Sequence, residues 1–408
     1  MASSTARAEL SFGPVETVDV PAHTVEIVQH HAGQGLLVAT NPQWKSLDIF
    51  EVESLIPLQL RMIDFDPEDQ PGPQGVGTIY EPTSVALHPT EPIALVSVLG
   101  RSPESPGHLL GVDLRRGDRT RGRWILRQAV GFHPDAVAVS PDGRWAVVAC
   151  EGEASPDTPG ELWVVDLDGL RVGRKMKDGD LPAYPLDGLA AVMEWPAGVL
   201  EPEVVAFDPR SRFAVVTLQE HDAFVTIDLA SQPRPKITSR TFLTWGGQPD
   251  GIDVIDGVPG ADGRDGCLVA VAEEGAFDEF GRITGNNVSF HWIDPLALDQ
   301  PAVLRSRTDV RPWVDPQKPG KRRDPESVKL LRLDGRVLAI VTIERGDRLL
   351  GLDVTDATQP VLFDTARVGD RPEGLTITHD DQGIIVLTGD EGNWGPGTIS
   401  ATRLQTRN

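Results

Sequence analysis

The chain has little cysteine, few aromatics and no long apolar run, and each shortage excludes something. Two cysteines in 408 residues, Cys150 and Cys267, are too few for a disulfide scaffold and lack metal-ligand spacing. Both read as small buried residues, and a bridge between them is without support. No hydrophobic stretch approaches the ~18 residues of a membrane-spanning helix, so membrane insertion is not expected. Positive charge is scarce: 38 Lys and Arg against 61 Asp and Glu leave a net charge of −23. Nucleic acid and anionic membrane surfaces both require local positive potential, so neither is an expected partner. A cation, a cationic ligand or a metal-bridged anion suits the charge better. The opening MASSTARAEL lacks the apolar segment of a signal peptide, which leaves a cytoplasmic protein or one whose signal has been removed. No nucleophile elbow, P-loop, metalloprotease helix, dinucleotide fingerprint or other cofactor motif is present.

Glycine and proline are abundant, 41 and 34 residues, nearly a fifth of the chain. They punctuate a repeat. Pro82-Thr83, Pro134-Asp135, Pro202-Glu203, Pro249-Asp250, Pro325-Glu326 and Pro372-Glu373 recur at spacings of 52, 68, 47, 76 and 47 residues, a scale typical of repeat architectures. Each opens a short run rich in Val, Ile, Leu and Ala, then a turn, a second run and a third ending in Asp-Leu or a close variant. PDAVAVSPDGRWAVVACEGE with GELWVVDL, and PEVVAFDPRSRFAVVTLQEHDAFVTIDL, show the pattern. Such runs read as strands, and Pro141-Asp142-Gly143 and Leu333-Asp334-Gly335 as hairpin turns. A weaker fourth strand follows, as at Lys236-Ile237-Thr238. Four antiparallel strands per copy make a propeller blade.

A degenerate copy, AHTVEIVQHHAGQGLLVATNPQWKSLDIFEV, precedes the six. The last copy ends near GTISATRL without an outer strand, which the N-terminal ELSFGPVETVDV is placed to supply. The expected fold is therefore all-β: a seven-bladed β-propeller of four-stranded antiparallel blades, closed by pairing of its N- and C-terminal strands, with residues 1–408 as one domain. Insertions at 65–81, 101–107, 169–200, 275–286 and 300–324 are expected on the face where the innermost strands begin, and only 256–266 on the other.

That topology places two sets of acids on the elaborated face. The residue after each proline opens an innermost strand at the channel mouth, giving Asp135, Glu203, Asp250, Glu326 and Glu373, with Thr83 the exception. The residue closing each second strand gives Glu151, Glu220, Glu274, Glu344 and Glu391. Like charges this close require raised pKa values, pairing with arginine or a bound cation. Arg323, Arg345, Arg371, His133 and His221 lie beside them in sequence. Carboxylate oxygens are hard ligands favouring calcium, magnesium or manganese, and no Cys/His cluster argues for zinc. Asp113, Asp166, Asp228 and Asp353, ending third strands on the far face, read as turn formers. The loop from Gly275 to Arg282 is a candidate lid, His291 and Trp292 read as packing, and the Asn287-Val288-Ser289 sequon is discounted because it lies on a strand.

The copies resemble the choice-of-anchor I family, also described as mesenchyme-specific cell-surface glycoprotein-like or alkaline-phosphatase-like propellers. The likeness is carried by GFHPDAVAVSPDGRWAVVACEGEASPDTPGELWVVDL, VTLQEHDAFVTIDL, QPDGIDVI with VAVAEEGAFDEFGR, and VTIERGDRLLGLDV followed by RPEGL, over roughly residues 80 to 395. The family's Asn-Glu-Gly reads Cys150-Glu151-Gly152, Glu273-Glu274-Gly275 and Asp390-Glu391-Gly392 here, so the glutamates persist while the amide is replaced. The resemblance implies an exported protein, secreted or periplasmic, with its signal trimmed. More distantly the layout is similar to calcium-dependent propeller hydrolases such as gluconolactonases, paraoxonases and propeller phytases, a likeness of fold.

Two readings follow. In the first, a divalent metal, calcium before manganese or magnesium, is held by Asp135, Glu203, Asp250, Glu326 and Glu373. One of Glu151, Glu220, Glu274, Glu344 and Glu391 then serves as general base, and Arg345 or Arg371 steadies negative charge, for hydrolysis of a small-molecule phosphoester, lactone or other ester. In the second, the propeller is non-catalytic and binds a protein or glycan partner, with the acidic ring structural or only metal-binding.

Overall fold

The computed structural model describes residues 9–407 except 21–23, 44, 57, 63–80, 116–121, 153–157, 188, 190–199, 244, 316, 318–320 and 393–395. Seven four-stranded antiparallel sheets form it, each built from consecutive strands except the last, which recruits the N-terminal strand. Blade 3 is representative: Pro134–Val139, Trp145–Cys150, Glu161–Asp166 and Ala183–Pro185. Blade 7 takes Pro372–Asp380, Gly383–Asp390 and Thr398–Arg407 from the C-terminus and Glu9–Asp19 from the N-terminus as its outer strand. Thr398 pairs with Asp19 and Arg407 with Glu9, so the ring closes as the sequence predicts, and no sheet edge is left at the seam. No described helix is long and apolar enough to cross a membrane.

Second strands such as Trp145–Cys150 and Phe213–Leu218 are buried along their whole length, because each is covered by a blade on either side. This explains their unbroken Val, Ala and Leu composition, where a sheet with one wet face would alternate. Cys150 and Cys267 are buried and free. His291 stacks edge-on against Phe224 at 5.4 Å, and the Trp292 indole donates to the Val258 carbonyl at 2.9 Å, so both are packing residues. Asn287 opens a third strand and its amide donates to Glu273 at 3.3 Å. Asp113, Asp166, Asp228 and Asp353 each accept a backbone N–H two residues on at about 3.0 Å, which is the turn-forming role expected of them.

The insertions need one correction. Residues 101–107, 275–286 and most of 300–324 do lie on the face where inner strands begin; 65–81 falls outside the described residues except for Glu81. The 169–200 insertion is divided by a three-residue strand, Ala183–Pro185. Its first half, 169–182, therefore joins third and fourth strands on the opposite face. Met176 there forms a parallel bridge with Leu126 on the outer strand of blade 2, Trp124–Phe132. The segment is a strap that covers the neighbouring blade's edge.

Candidate functional site

Every inner strand from blade 2 to blade 7 opens with a register shift immediately after its proline: between Pro82 and Ser84, Pro134 and Ala136, Pro202 and Val205, Pro249 and Ile252, Pro325 and Val328, and Pro372 and Gly374. The residue after the proline is thus bulged out of the ladder, a device that re-aims a side chain. In five blades the residue before the proline also has a left-handed backbone: His133 (φ 46°), Glu201 (37°), Gln248 (44°), Asp324 (49°) and Arg371 (56°). Such conformations cost about 1–3 kcal/mol each for a non-glycine residue, and persist only where neighbouring bonds impose them.

The imposing bond is visible in each case. The carbonyl of that residue accepts the N–H of the residue just past the second strand: Glu151 (2.9 Å), Gln219 (3.0 Å), Glu274 (3.1 Å), Glu344 (2.9 Å) and Glu391 (3.0 Å). One local motif therefore ties both sets of acids to one end of each blade. Two glycines are required by the resulting crowding. A Cβ on Gly251 would stand 2.2 Å from the Glu326 carbonyl oxygen, and one on Gly374 2.3 Å from that of Glu26.

The channel mouth is a cavity of about 480 Å³ to which each blade contributes one bulged or equivalent position: Glu26, Thr83, Asp135, Glu203, Asp250, Glu326 and Glu373. Five of these were expected from the Pro-acid copies. Glu26, from blade 1, was not, because Val25 stands where the other copies have proline. Aligning Val25-Glu26-Ile27-Val28 with Pro325-Glu326-Ser327-Val328 would have found it. Of the second set, Glu151, Glu274, Glu344 and Glu391 take the expected place, one residue past the strand. Glu220 does not. Blade 4's second strand ends at Leu218, so Gln219 occupies the position, while Glu220 is exposed on the next turn beside Gln248.

The ring is electrically lopsided. On blades 5 to 7 Glu274, Glu344, Glu391, Glu373 and the neighbouring Asp324 are paired with arginine, while Asp250 and Glu326 are hydrogen-bonded to each other. Arg322 reaches Glu274 and Asp324, both at 2.6 Å. Arg345 contacts Asp324, and Glu344 at 3.6 Å. Arg371 contacts Glu344, Glu391 at 2.7 Å and Glu373 at 3.8 Å. Arg345 and Arg371, expected to steady charge on a substrate, thus have their own charge balanced by the protein. Arg323 is turned to Asp315 at 3.2 Å. On blades 3 and 4 the picture reverses. Asp135, Glu151 and Glu203 bring carboxylate oxygens within 4.8 Å of one another. Among the described residues no Lys or Arg contacts them; only His133 Nδ1 approaches, 2.5 Å from Glu151.

Burial, then mutual repulsion, lifts these carboxyls far above their usual range. Asp135 is raised to about 8 by burial and by Glu151 and Asp250. Glu26 is raised to about 8, by burial and Glu391, and Glu373 to about 9, by the same two causes. Glu203 and Glu326 are pushed well up by burial, Glu203 next by Asp135 and Glu326 next by its hydrogen bond to Asp250. Glu274 rises to about 7 through burial and Asp250.

A carboxyl whose folded pKa exceeds its unfolded value, ~3.9 for Asp or ~4.3 for Glu, binds more protons folded than unfolded between the two. The stability it contributes is complete below the unfolded value and lost as pH rises through the folded one. The chelated protein is accordingly expected to melt several degrees lower at pH 9 than at pH 5.5. Glu26→Gln and Glu373→Gln should flatten that slope. A melting temperature that is flat or rises over the window, measured by calorimetry, would show that the ring is not under this strain.

Comparison with known proteins agrees with the architecture. The family model of the choice-of-anchor I domain matches residues 26–258. Among curated proteins there is no sequence match. Among solved structures, the chain is similar to the hydrazine synthase of Kuenenia stuttgartiensis (14% identity, TM-score 0.61, covering 100% of this chain and 99% of that one). It is similar to the β-propeller domain of Cps50 (Swd1) from Myceliophteria thermophila (12%, 0.57, 96% and 100%). It is also similar to the periplasmic gluconolactonase PpgL of Pseudomonas aeruginosa (17%, 0.53, 85% and 86%). At these identities the likeness is one of fold.

Proposed function

The chain belongs to the choice-of-anchor I domain family, and from that membership and the geometry of its channel mouth we propose that it is a metal-dependent hydrolase of a phosphoester, lactone or other ester. The observation that carries the reading is the Asp135–Glu151–Glu203 group. It gathers three hard oxygen donors within 4.8 Å that no guanidinium or ammonium among the described residues neutralises. The donor set suits calcium first, with manganese or magnesium as alternatives. This narrows the expected ligand set to two of the inner-strand acids and moves Glu151 among the ligands. Asp250, Glu326 and Glu373 become the wall facing them. A bound divalent cation supplies Lewis-acid polarisation and a water of lowered pKa.

Glu274, in the blade next to Glu203, is held near neutrality at about 7, the range a general base requires. Arg322 at 2.6 Å and Gln219 at 3.4 Å fix its carboxyl. The gluconolactonase among the similar folds makes a lactone a natural member of the substrate panel.

The test is metal content by mass spectrometry, with thermal melts and turnover on phosphoesters and lactones before and after chelation. About one divalent cation per chain is expected, lost together with turnover. Free cation at about 100 times its Kd adds about 2.7 kcal/mol to stability, so chelation should lower the melting temperature. A metal-free protein indifferent to chelator and to added cations would defeat the proposal.

A second reading, a non-catalytic binding propeller, is favoured by Trp245, Phe277 and Phe280, which are 86%, 59% and 73% exposed on two loops of the same face. Those loops are joined by the Gly275 N–H to Gly247 carbonyl bond at 3.0 Å. Metal bound without turnover on any ester would support a protein or glycan partner there.

A further inference from the structure

Away from the channel, positive charge is concentrated on the strap over blade 2. Residues 171–177 read Arg-Val-Gly-Arg-Lys-Met-Lys, four cations in seven residues. The strap is well anchored. Met176 donates its N–H to the Ile125 carbonyl at 2.6 Å, Arg127 donates to the Met176 carbonyl at 3.3 Å, and the Asp178 carboxylate accepts the Ala129 N–H at 2.5 Å. Between strap and blade edge is a second hollow, of about 350 Å³, within the range of small-molecule sites.

Its chemistry is two-sided. Leu126 and Met176 are buried beneath it and Trp124 stands half-buried at its wall, giving an apolar body-binding surface. Around it are Arg127, Lys175 and Lys177, against a single acid, Asp178. Arg127 is not a loose surface cation. Its guanidinium lies 2.9 Å from Nε2 of His108, and burial and Arg127 itself lower the His108 pKa to about 4. The imidazole is therefore neutral and accepts from the guanidinium without cancelling its charge. Lys175 and Lys177 are exposed and form no ion pair among the described residues.

We propose that this hollow binds an amphipathic anion: a flat aromatic or aliphatic body against Trp124, Leu126 and Met176, with a carboxylate, phosphate or sulfonate facing Arg127, Lys175 and Lys177. The chain's net charge of −23 repels such ligands, so a local excess of three cations over one acid over an apolar floor selects for them. The site lies on the face opposite the channel mouth and does not depend on the reading given to that mouth.

The test uses naphthalene-2-sulfonate, which has no hydrolysable bond, titrated calorimetrically against the full chain, with 2-naphthalenemethanol as the uncharged comparison. One sulfonate per chain is expected to bind with a sub-millimolar Kd that weakens with salt. The alcohol should bind at least about tenfold more weakly, as expected where each 1.4 kcal/mol is a factor of ten. Lys175→Gln/Lys177→Gln should weaken the sulfonate about tenfold, with melting temperature and channel activity unchanged. Trp124→Leu should weaken both compounds. Glu203→Gln should change neither. Absence of binding at several millimolar, or equal affinity in the double lysine variant, would overturn the proposal.

Discussion

Glu203→Gln is expected to lower divalent-cation affinity by at least about 100-fold and to take ester hydrolysis with it, while the fold survives. The substitution is nearly isosteric and removes a single charge from a group of three carboxylates that share one small volume. Glu203 is only 8% exposed, and burial followed by Asp135 and Glu151 pushes its carboxyl well above the ordinary range. Without a cation, ionising it is unfavourable, so the glutamine protein should melt at the same temperature or higher in chelator. Only in calcium or manganese should it lose the stabilisation that the native protein gains.

Glu373→Gln is the discriminating comparison. Glu373 lines the same cavity, but on the side where Arg371 stands 3.8 Å away. If the cation is confined to blades 3 and 4, its affinity should change little there. Equal loss in both variants would show that the cation is held by the whole ring of inner-strand acids. Full activity in Glu203→Gln would remove the channel-mouth site from consideration. Isothermal titration in parallel with turnover separates these results.

The reading of seven blades rests on features a linear sequence displays well: a proline, an acid and an apolar run repeating at similar spacing. The closing strand was legible for the same reason, since the last copy visibly lacks its fourth strand and Glu9–Asp19 offers one. What was not legible depends on single-residue counting or on contacts between copies. Glu220 was placed on the ring because an acid closes the second strand in four other blades, yet the strand ends at Leu218 and the count gives Gln219. Glu26 was missed because Val25 breaks the Pro-acid rule, although the bulge logic applies without the proline.

The division of the ring into paired and unpaired halves is a three-dimensional fact. Arg322 and Arg371 each bind carboxylates from a neighbouring blade as well as their own, and no spacing in the chain announces that. The strap at 169–182 was assigned to the wrong face because a strand of three residues, Ala183–Pro185, carries too little pattern to recognise.

Arg371→Met should show how much the paired half depends on its guanidinium. Methionine keeps most of the aliphatic stem and removes only the charge. In the native protein Arg371 bridges blades 6 and 7, touching Glu344 from one and Glu391 and Glu373 from the other. Removing one partner of a partly buried ionic network leaves the others uncompensated, at a cost of about 1–3 kcal/mol, between the exposed and the fully buried cases.

The pH dependence separates charge from packing. Glu373 already titrates near 9 while Arg371 is lowering it, so losing the guanidinium drives it further from its unfolded value. The stranded carboxyls can be relieved only by taking up protons, which they do more readily at pH 5 than at pH 8.5. The loss in melting temperature should therefore be large at pH 8.5 and clearly smaller at pH 5. Adding Glu344→Gln to Arg371→Met should recover part of it at the higher pH. An equal loss at both pH values, with no recovery in the double variant, would mean that Arg371 acts through its packing, and that the acids of blades 5 to 7 are tolerated for some reason other than arginine.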